Sequence, residues 1–521
     1  MITPRARRLA ARLALAPAAG AALAAIVLAG CTSAKDPGDP AESIEETPAT
    51  GTPPPPVDDP FIPIGTGAVC NPKITIQNHG SALIVRDPAA LGGFTLERVL
   101  KQLLAIGGDT VTTPEQLLQQ LFDTENTTLG GSFPGAPHCD DATNSAFKNG
   151  PAVDCPRAEG ALARSAGLFT EGSPDYFAPI AVVNRLDLMP SNLQTCGEYR
   201  IIFAKQSGRT DPENRVFLIF EGALQSPSPS LDACRPVAEM WASLDDEKDP
   251  AVLAQRLERF YFTGLPGILP LVHPQNLGLF AMDDDPYGAS RGQVRLSQNM
   301  QAPFEMREFH IAATSPGGAP RMVFLPATVK NNPLPELFDP STSTPLAAQF
   351  RGQFAEQVES LSATSVARVR MATSNMYAAG ESAIGGAAQA SYWGRLTSGG
   401  DAKELLSVID LQLQSQTAGK ACPPGDPLTA RSVLDRAAVQ TCAGCHAPTH
   451  FLGADRKIGC GLVWPNSLGQ VHIDEHGTLS PALTEVFMPR RAAVMTTYLQ
   501  GCDQKAILDN LQPSPIAGLP N

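Results

Sequence analysis

Tyr199-Arg200-Ile201-Ile202-Phe203-Ala204 and Val216-Phe217-Leu218-Ile219-Phe220-Glu221 are strongly apolar, β-prone runs separated by the polar loop Ser207–Asn214. Runs of this length around a polar loop read as adjacent antiparallel strands. Their near-continuous hydrophobicity puts both at the centre of a sheet, buried on two faces. Outward from this hairpin, Gln293–Ser297, Met306–Ala312 and Met322–Val329 continue the β character, and Ile74-Thr75-Ile76 and Ala82-Leu83-Ile84-Val85 read as short strands. Helices are interleaved. Thr95 caps one whose Leu96, Val99, Leu100, Leu103 and Leu104 share a face, and Thr113 with Pro114 opens a second. Further helices are predicted at about 251–262, from Thr344-Pro345 to about 378, and at about 401–414, while 125–178 reads as loop. The class is α+β, with a large strand-rich domain over 63–415 that has room for two subdomains.

The chain has 521 residues, and its first thirty read as a targeting segment. Arg5, Arg7, Arg8 and Arg12 precede an apolar stretch too short and wrongly flanked for a spanning helix. The run Leu28-Ala29-Gly30-Cys31 that ends it resembles the bacterial lipobox. That resemblance implies a diacylglycerol on the Cys31 thiol and a lipoprotein of the cell envelope, facing the periplasm. Thr32 and Ser33, with no Asp after the cysteine, favour the outer membrane under the enterobacterial sorting rule. An ordinary secretory signal with a coincidental cysteine is the plainer alternative. Residues 31–62, with Pro53-Pro54-Pro55-Pro56, have too few apolar side chains to fold and read as a disordered tether. The segment 1–30 holds four of the 39 basic residues and none of the 52 acidic ones, which leaves a net charge of −17. So acidic a chain argues against nucleic acid and suits a basic protein partner; any membrane contact falls to the lipid anchor.

Beyond a boundary at 415–426 the character changes. Residues 427–505 read as a small second domain, followed by a tail at 506–521. Here Thr441-Cys442-Ala443-Gly444-Cys445-His446-Ala447 carries Cys-x-x-Cys-His, the attachment signature of c-type haem. Two thiols three residues apart on a turn reach the two vinyl groups of one porphyrin, and the next residue offers an imidazole to the iron. Composition predicts about 0.004 such motifs per chain by chance, so the motif is informative in itself. Thr429–Gln440 reads as a helix leading into it, and about forty residues later Phe487-Met488-Pro489 precedes the helical run Arg490–Gln500. This arrangement resembles a class I cytochrome c over some 75–80 residues. The resemblance implies an all-α fold whose first and last helices pack together, one covalent haem c, His446 as proximal ligand and Met488 as the second. Met495, His450, His472 and His476 are rival ligands; His450 lies close to His446 in sequence and His476 sits in a turn-like Asp474-Glu475-His476-Gly477. An open sixth position would instead point to ligand binding or peroxidase chemistry. Against haem stand a redox thiol pair, which expects a βαβ setting, and a zinc site completed by Cys460 and His450 or His472.

Cys31, Cys442 and Cys445 leave eight of the eleven cysteines, which in an exported chain read as up to four disulfides. Eight cysteines allow 105 connectivities. The expected set is Cys139–Cys155, Cys196–Cys234 and Cys460–Cys502, with Cys70–Cys422 as the remainder. Asn184-Arg185-Leu186-Asp187, Glu198, Arg200, Glu221 and Glu239 flank the hairpin and could line a polar cleft, although such groups more often pair structurally. Asp283-Asp284-Asp285 offers oxygen ligands to Ca²⁺, but a solvated acidic loop is the simpler reading. Together these features lead to a lipid-anchored monohaem cytochrome that transfers single electrons, its larger domain recognising a partner or substrate. An oxidoreductase with its substrate site in the large domain is the first alternative. A surface binding or structural lipoprotein with a haem appendage is the second.

Overall fold

In the computed structural model, which describes residues 70–141, 153–279, 292–314, 320–385, 391–416 and 422–511, the two apolar runs are neighbouring central strands. The strands are β1 (Ile84–Val85), β2 (Phe177–Arg185), β3 (Thr195–Lys205), β4 (Val216–Gln225), β5 (Gln293–Gln298), β6 (Glu305–Thr314), β7 (Arg321–Ala327) and β8 (Ser382–Ala383). They form one antiparallel sheet in the order β1-β2-β3-β4-β5-β6-β7, with β8 beside β6 at Glu305 and Met306. The chain is therefore a mixed fold built on an antiparallel sheet.

The register sorts the side chains by face. Ile202 lies opposite Ile219, and Ile219 opposite Arg295, so these three share one side. On the other side Ile201, Phe203, Leu218, Phe220, Val294 and Leu296 are all buried. That apolar side is covered in part by the helix Leu231–Ala242 and the helical turn Arg259–Thr263. Trp241 stacks on Tyr199 at 5.8 Å between ring centres, and Phe260 meets both rings edge-on. Full burial of side chains this size contributes roughly 1.5–3 kcal/mol each.

Several elements differ from the sequence expectation for identifiable reasons. β2 falls wholly outside the predicted strands. It carries Pro179, which cannot donate to a ladder, and accommodates it with a register irregularity between Pro179 and Ala181. Ile74-Thr75-Ile76 is not a strand. Its backbone is held by the C-terminal helix instead, with Gln500 Nε2 donating to Ile74 O (2.9 Å) and Ile76 N to Thr496 Oγ1 (3.0 Å). The helical stretch from Pro345 stops at Leu361, where Ser362 Oγ bonds back to the Val358 carbonyl and competes with the backbone ladder. No helix among the described residues is long and apolar enough to cross a membrane.

Cys139–Cys155 and Cys196–Cys234 are disulfides as expected, but the remaining pairs are Cys70–Cys502 and Cys422–Cys460. The correction has a local cause at each bond. Asn71 N donates to Gln500 O (2.8 Å), which brings Cys70 beside the end of the last long helix. Cys460 N donates to Asp426 O (3.0 Å), which brings the 460 turn to Cys422.

The segment 427–505 does not stand apart as a self-contained all-α domain. Its first helix, Ala430–Ala438, buries Val433, Leu434 and Ala437 in an apolar cluster shared with Phe350, Phe354 and Ile409 of the preceding helices. Its last, Met488–Gln500, buries Met488, Ala492, Met495 and Leu499 in the cluster of the sheet. The two helices that the cytochrome resemblance would pack on each other thus face different cores.

Candidate cofactor site

The Cys-x-x-Cys-His motif is a single helical turn, Cys442–His446, set up by its own sequence. Thr441 Oγ1 accepts from Gly444 N (3.1 Å) and donates to Ala438 O (2.6 Å), so one hydroxyl ends one helix and starts the next. Gly444 is required by space: a Cβ there would stand 1.9 Å from the Ala438 carbonyl oxygen. Ala443 N donates to Ser382 Oγ (3.0 Å), which ties the turn to β8.

Cys442, Cys445, His446 and Met488 all line one cavity of about 700 Å³ between the C-terminal segment and the sheet. This lies within the ~300–1,000 Å³ typical of sites for compact organic ligands, the size class of a porphyrin. The sheet supplies the opposite wall, with Ile202, Ile219 and Phe217 giving apolar surface and Arg200 and Arg295 giving charge. Cys442 and Cys445 are free thiols among described cysteines that are otherwise all disulfide-bonded. The cavity therefore presents two unpaired thiols, an imidazole and a thioether to one apolar-walled space, a donor set that suits a c-type haem.

His446 is oriented for ligation. Its Nδ1 lies 2.7 Å from the carbonyl oxygen of Gln470, which can only accept, so the proton sits on Nδ1 and Nε2 keeps its lone pair. Burial pushes the imidazole down to about 4, which keeps it neutral near pH 7. Burial also pushes Cys442 up to about 11, against the pull of Arg295, and Cys445 up to about 12. Thiols held protonated in this way are poorly suited to the thiolate chemistry of a redox pair. The zinc alternative loses a ligand, because Cys460 is committed to Cys422.

Among the rival iron ligands, Met495 accepts a hydrogen bond from Asn184 Nδ2 at its sulfur (3.5 Å) in the core of the sheet. His450 packs edge-on against Phe451, outside the cavity lining. His476 is exposed in a hairpin turn closed by Asp474 N to Thr478 O (3.0 Å). His472 does line the cavity, but both its ring nitrogens are engaged, Nδ1 with Ser480 Oγ (2.9 Å) and Nε2 with Cys445 Sγ (3.2 Å).

The expected polar cleft is this same cavity in part. Arg185, Glu198 and Arg200 line it. Glu221 lies behind, 3.1 Å from Arg200 and 3.2 Å from Arg295. Asn184 is used structurally, bonding Ala82 O and Leu186 N, and Glu239 pairs with Arg235 elsewhere. Burial opposes ionisation of Glu198, but Arg200 and Lys330 outweigh it and hold the carboxyl at about 2. Cys31 and Asp283-Asp284-Asp285 lie outside the described residues.

Three contributors had not been singled out from the sequence. Arg295 had a readable signal, since Gln293, Arg295 and Ser297 alternate with Val294 and Leu296. Gln470 acts through its backbone, for which there is no side-chain signal. Arg215 binds Glu475 through Nε (3.0 Å) and Nη2 (3.2 Å) and donates to Gly469 O, so it pins the loop that carries Gln470 and His472. Comparison with protein families, curated proteins and solved structures finds no match to this chain.

Proposed function

We propose that the chain is a lipid-anchored c-type cytochrome that carries one covalent haem and transfers single electrons in the cell envelope. The observation that carries this reading is the convergence of Cys442, Cys445, His446 and Met488 on one cavity walled by the sheet. Each thiol would add its S–H across one vinyl double bond, forming two thioethers without any oxidant. His446 Nε2 would be the proximal ligand and Met488 the second, a thioether that favours reduced iron. The bound haem would supply one-electron chemistry between Fe(II) and Fe(III). The site in this reading is shared between the C-terminal segment and the sheet, in place of a self-standing class I domain. The acidic surface would suit a basic redox partner.

The test is maturation with a cytochrome c assembly system. The full chain should gain the mass of one haem that survives denaturation, and should show a reduced-minus-oxidised visible spectrum. Cys442→Ser with Cys445→Ser should lose both signals. Wild-type protein without the added mass and without a Soret band ends the haem reading. Anchoring through Cys31, at the outer membrane, is tested separately: Cys31→Ser should leave the membrane fraction or remain unprocessed.

A second reading has its own support. Charged side chains of β2, β3 and β5 enter the same cavity, which favours an oxidoreductase whose substrate lies against the sheet near the haem. Substrate-dependent haem reduction separates it from simple electron transfer.

A further inference from the structure

Charge is unevenly compensated around the cavity. Arg200 and Arg295 each meet two carboxylates: Arg200 approaches Glu198 (2.6 Å) and Glu221 (3.1 Å), and Arg295 approaches Glu221 (3.2 Å) and Glu308 (2.6 Å). Around Asp187 the balance is different. This one carboxylate takes the fork of Arg185 (2.9 and 3.0 Å), lies 3.9 Å from Arg491, and also counterbalances Arg370. Burial opposes its ionisation, yet the guanidinium groups hold it at about 2.

Arg185 is well served by this fork, but Arg370 and Arg491 are not. Arg491 Nε is buried with no hydrogen-bond partner among the described residues. Among the described residues, Arg370 Nη1 donates to a backbone oxygen, that of Leu511 (3.0 Å), and to no carboxylate. Burial and the neighbouring guanidinium of Arg185 push Arg491 down to about 9. Arg370 is lowered as well, by burial first. Buried positive charge that lacks a full complement of acceptors is costly, and planar guanidinium forks match carboxylates. Arg185, Arg370 and Arg491 all line the cavity, so an anion entering it could supply the missing acceptors.

We propose that Arg185, Arg370 and Arg491 form a carboxylate-binding site in the cavity wall. Its occupant is an organic carboxylate, from one of two sources: the propionates of the bound haem, or a small free carboxylate that acts as substrate. Only the first source rests on the haem reading.

The probe is succinate, with uncharged succinamide as control, titrated calorimetrically and by thermal melting into the full chain. Two forms are compared: the haem-loaded protein, and the same chain expressed without haem attachment. Succinate should bind and stabilise the haem-free chain, and succinamide should not. Arg370→Gln with Arg491→Gln should weaken succinate by on the order of 100-fold. Arg370→Lys keeps the charge and loses the fork, so a folded single variant should show an intermediate loss. If the haem-loaded protein no longer takes succinate, the propionates fill the site; if it still does, a free carboxylate is the occupant. No response in the haem-free wild type overturns the proposal, and so does binding that survives in the double variant. A chain that gains no haem on maturation removes the haem reading alone, because the succinate titration then still decides this one.

Discussion

Nδ1 of His446 lies 2.7 Å from the carbonyl oxygen of Gln470, a residue held at φ +68° in the left-handed region. A non-glycine residue rarely adopts that backbone unless its surroundings enforce it. The enforcement comes from residues flanking the strands of the sheet. Arg215, at the start of β4, clamps Gly469 and Glu475 on either side of Gln470, and Arg86 Nη1 donates to Gly477 O further along the same loop. The sheet therefore orients the imidazole through the loop.

Arg215→Ala should consequently be more than a surface change. Arg215 and Glu475 form a buried pair, and removing one partner leaves the other charge uncompensated. The expected cost is about 3–5 kcal/mol in denaturant unfolding. The double variant Arg215→Ala/Glu475→Ala should cost less than the two single changes summed. Additive losses would show that the two side chains do not depend on each other.

Met488 and Met495 should separate cleanly. In the matured protein Met488→Ala should lower the reduction potential, remove the weak long-wavelength band of a thioether-ligated ferric haem, and admit carbon monoxide. Met495→Ala should leave the spectrum alone and cost about 2–5 kcal/mol through the cavity it opens in the core. A spectrum unchanged in Met488→Ala would hand the sixth position to His472, the other candidate at the cavity, or leave it open.

Stability should fall as pH rises from about 4.5 through 7, because of a buried carboxylate cluster beside the motif. Burial raises Glu381 to about 7, and Glu305, which neighbours it, is raised further in the same direction. The folded state then binds protons more tightly than the unfolded chain, so this contribution is complete below the unfolded value and is lost as pH passes the folded one. Glu381→Gln should flatten the decline and raise the melting temperature at pH 8 relative to wild type. An unchanged slope between pH 5 and 8 would show that Glu381 does not titrate there.

Peptide mapping without reduction should recover Cys70–Cys502 and Cys422–Cys460 in preference to Cys460–Cys502. Cys70→Ser with Cys502→Ser should destabilise the chain by about 2–5 kcal/mol. Free thiol titration of denatured, haem-free protein should find Cys442 and Cys445, together with Cys31 only if that residue carries no lipid.

What was legible in the sequence was local. The runs around Ile201 and Leu218 announce central strands, Thr95 and Thr113 announce helix starts, and Cys442 to His446 announces a turn, because each signal lies within a few residues. The illegible parts depend on register or on distant partners. Only the pairing of β4 with β5 puts Arg295 beside Ile219 on the cavity wall. Only the meeting of residues 70–76 with 496–502 decides which cysteine Cys70 finds. The helix Leu231–Ala242 was missed although Ser230 caps it, since Pro236 lies inside it and breaks the usual pattern. The cavity belongs to the same class of feature, since the sheet wall with Arg200 and Arg295 and the facing wall with Cys442 and Met488 lie far apart in sequence.

The Cys70–Cys502 bond joins two cysteines 432 positions apart and closes the chain between them into a covalent ring. A protease that nicks any exposed loop within the ring will not release a fragment, because both new ends stay joined through the sulfur bridge. Non-reducing gels would then show one full-size band from a cleaved protein, and only reductant would reveal the cut. In a protease-rich compartment, the molecule can be cleaved once without losing any segment that builds its site.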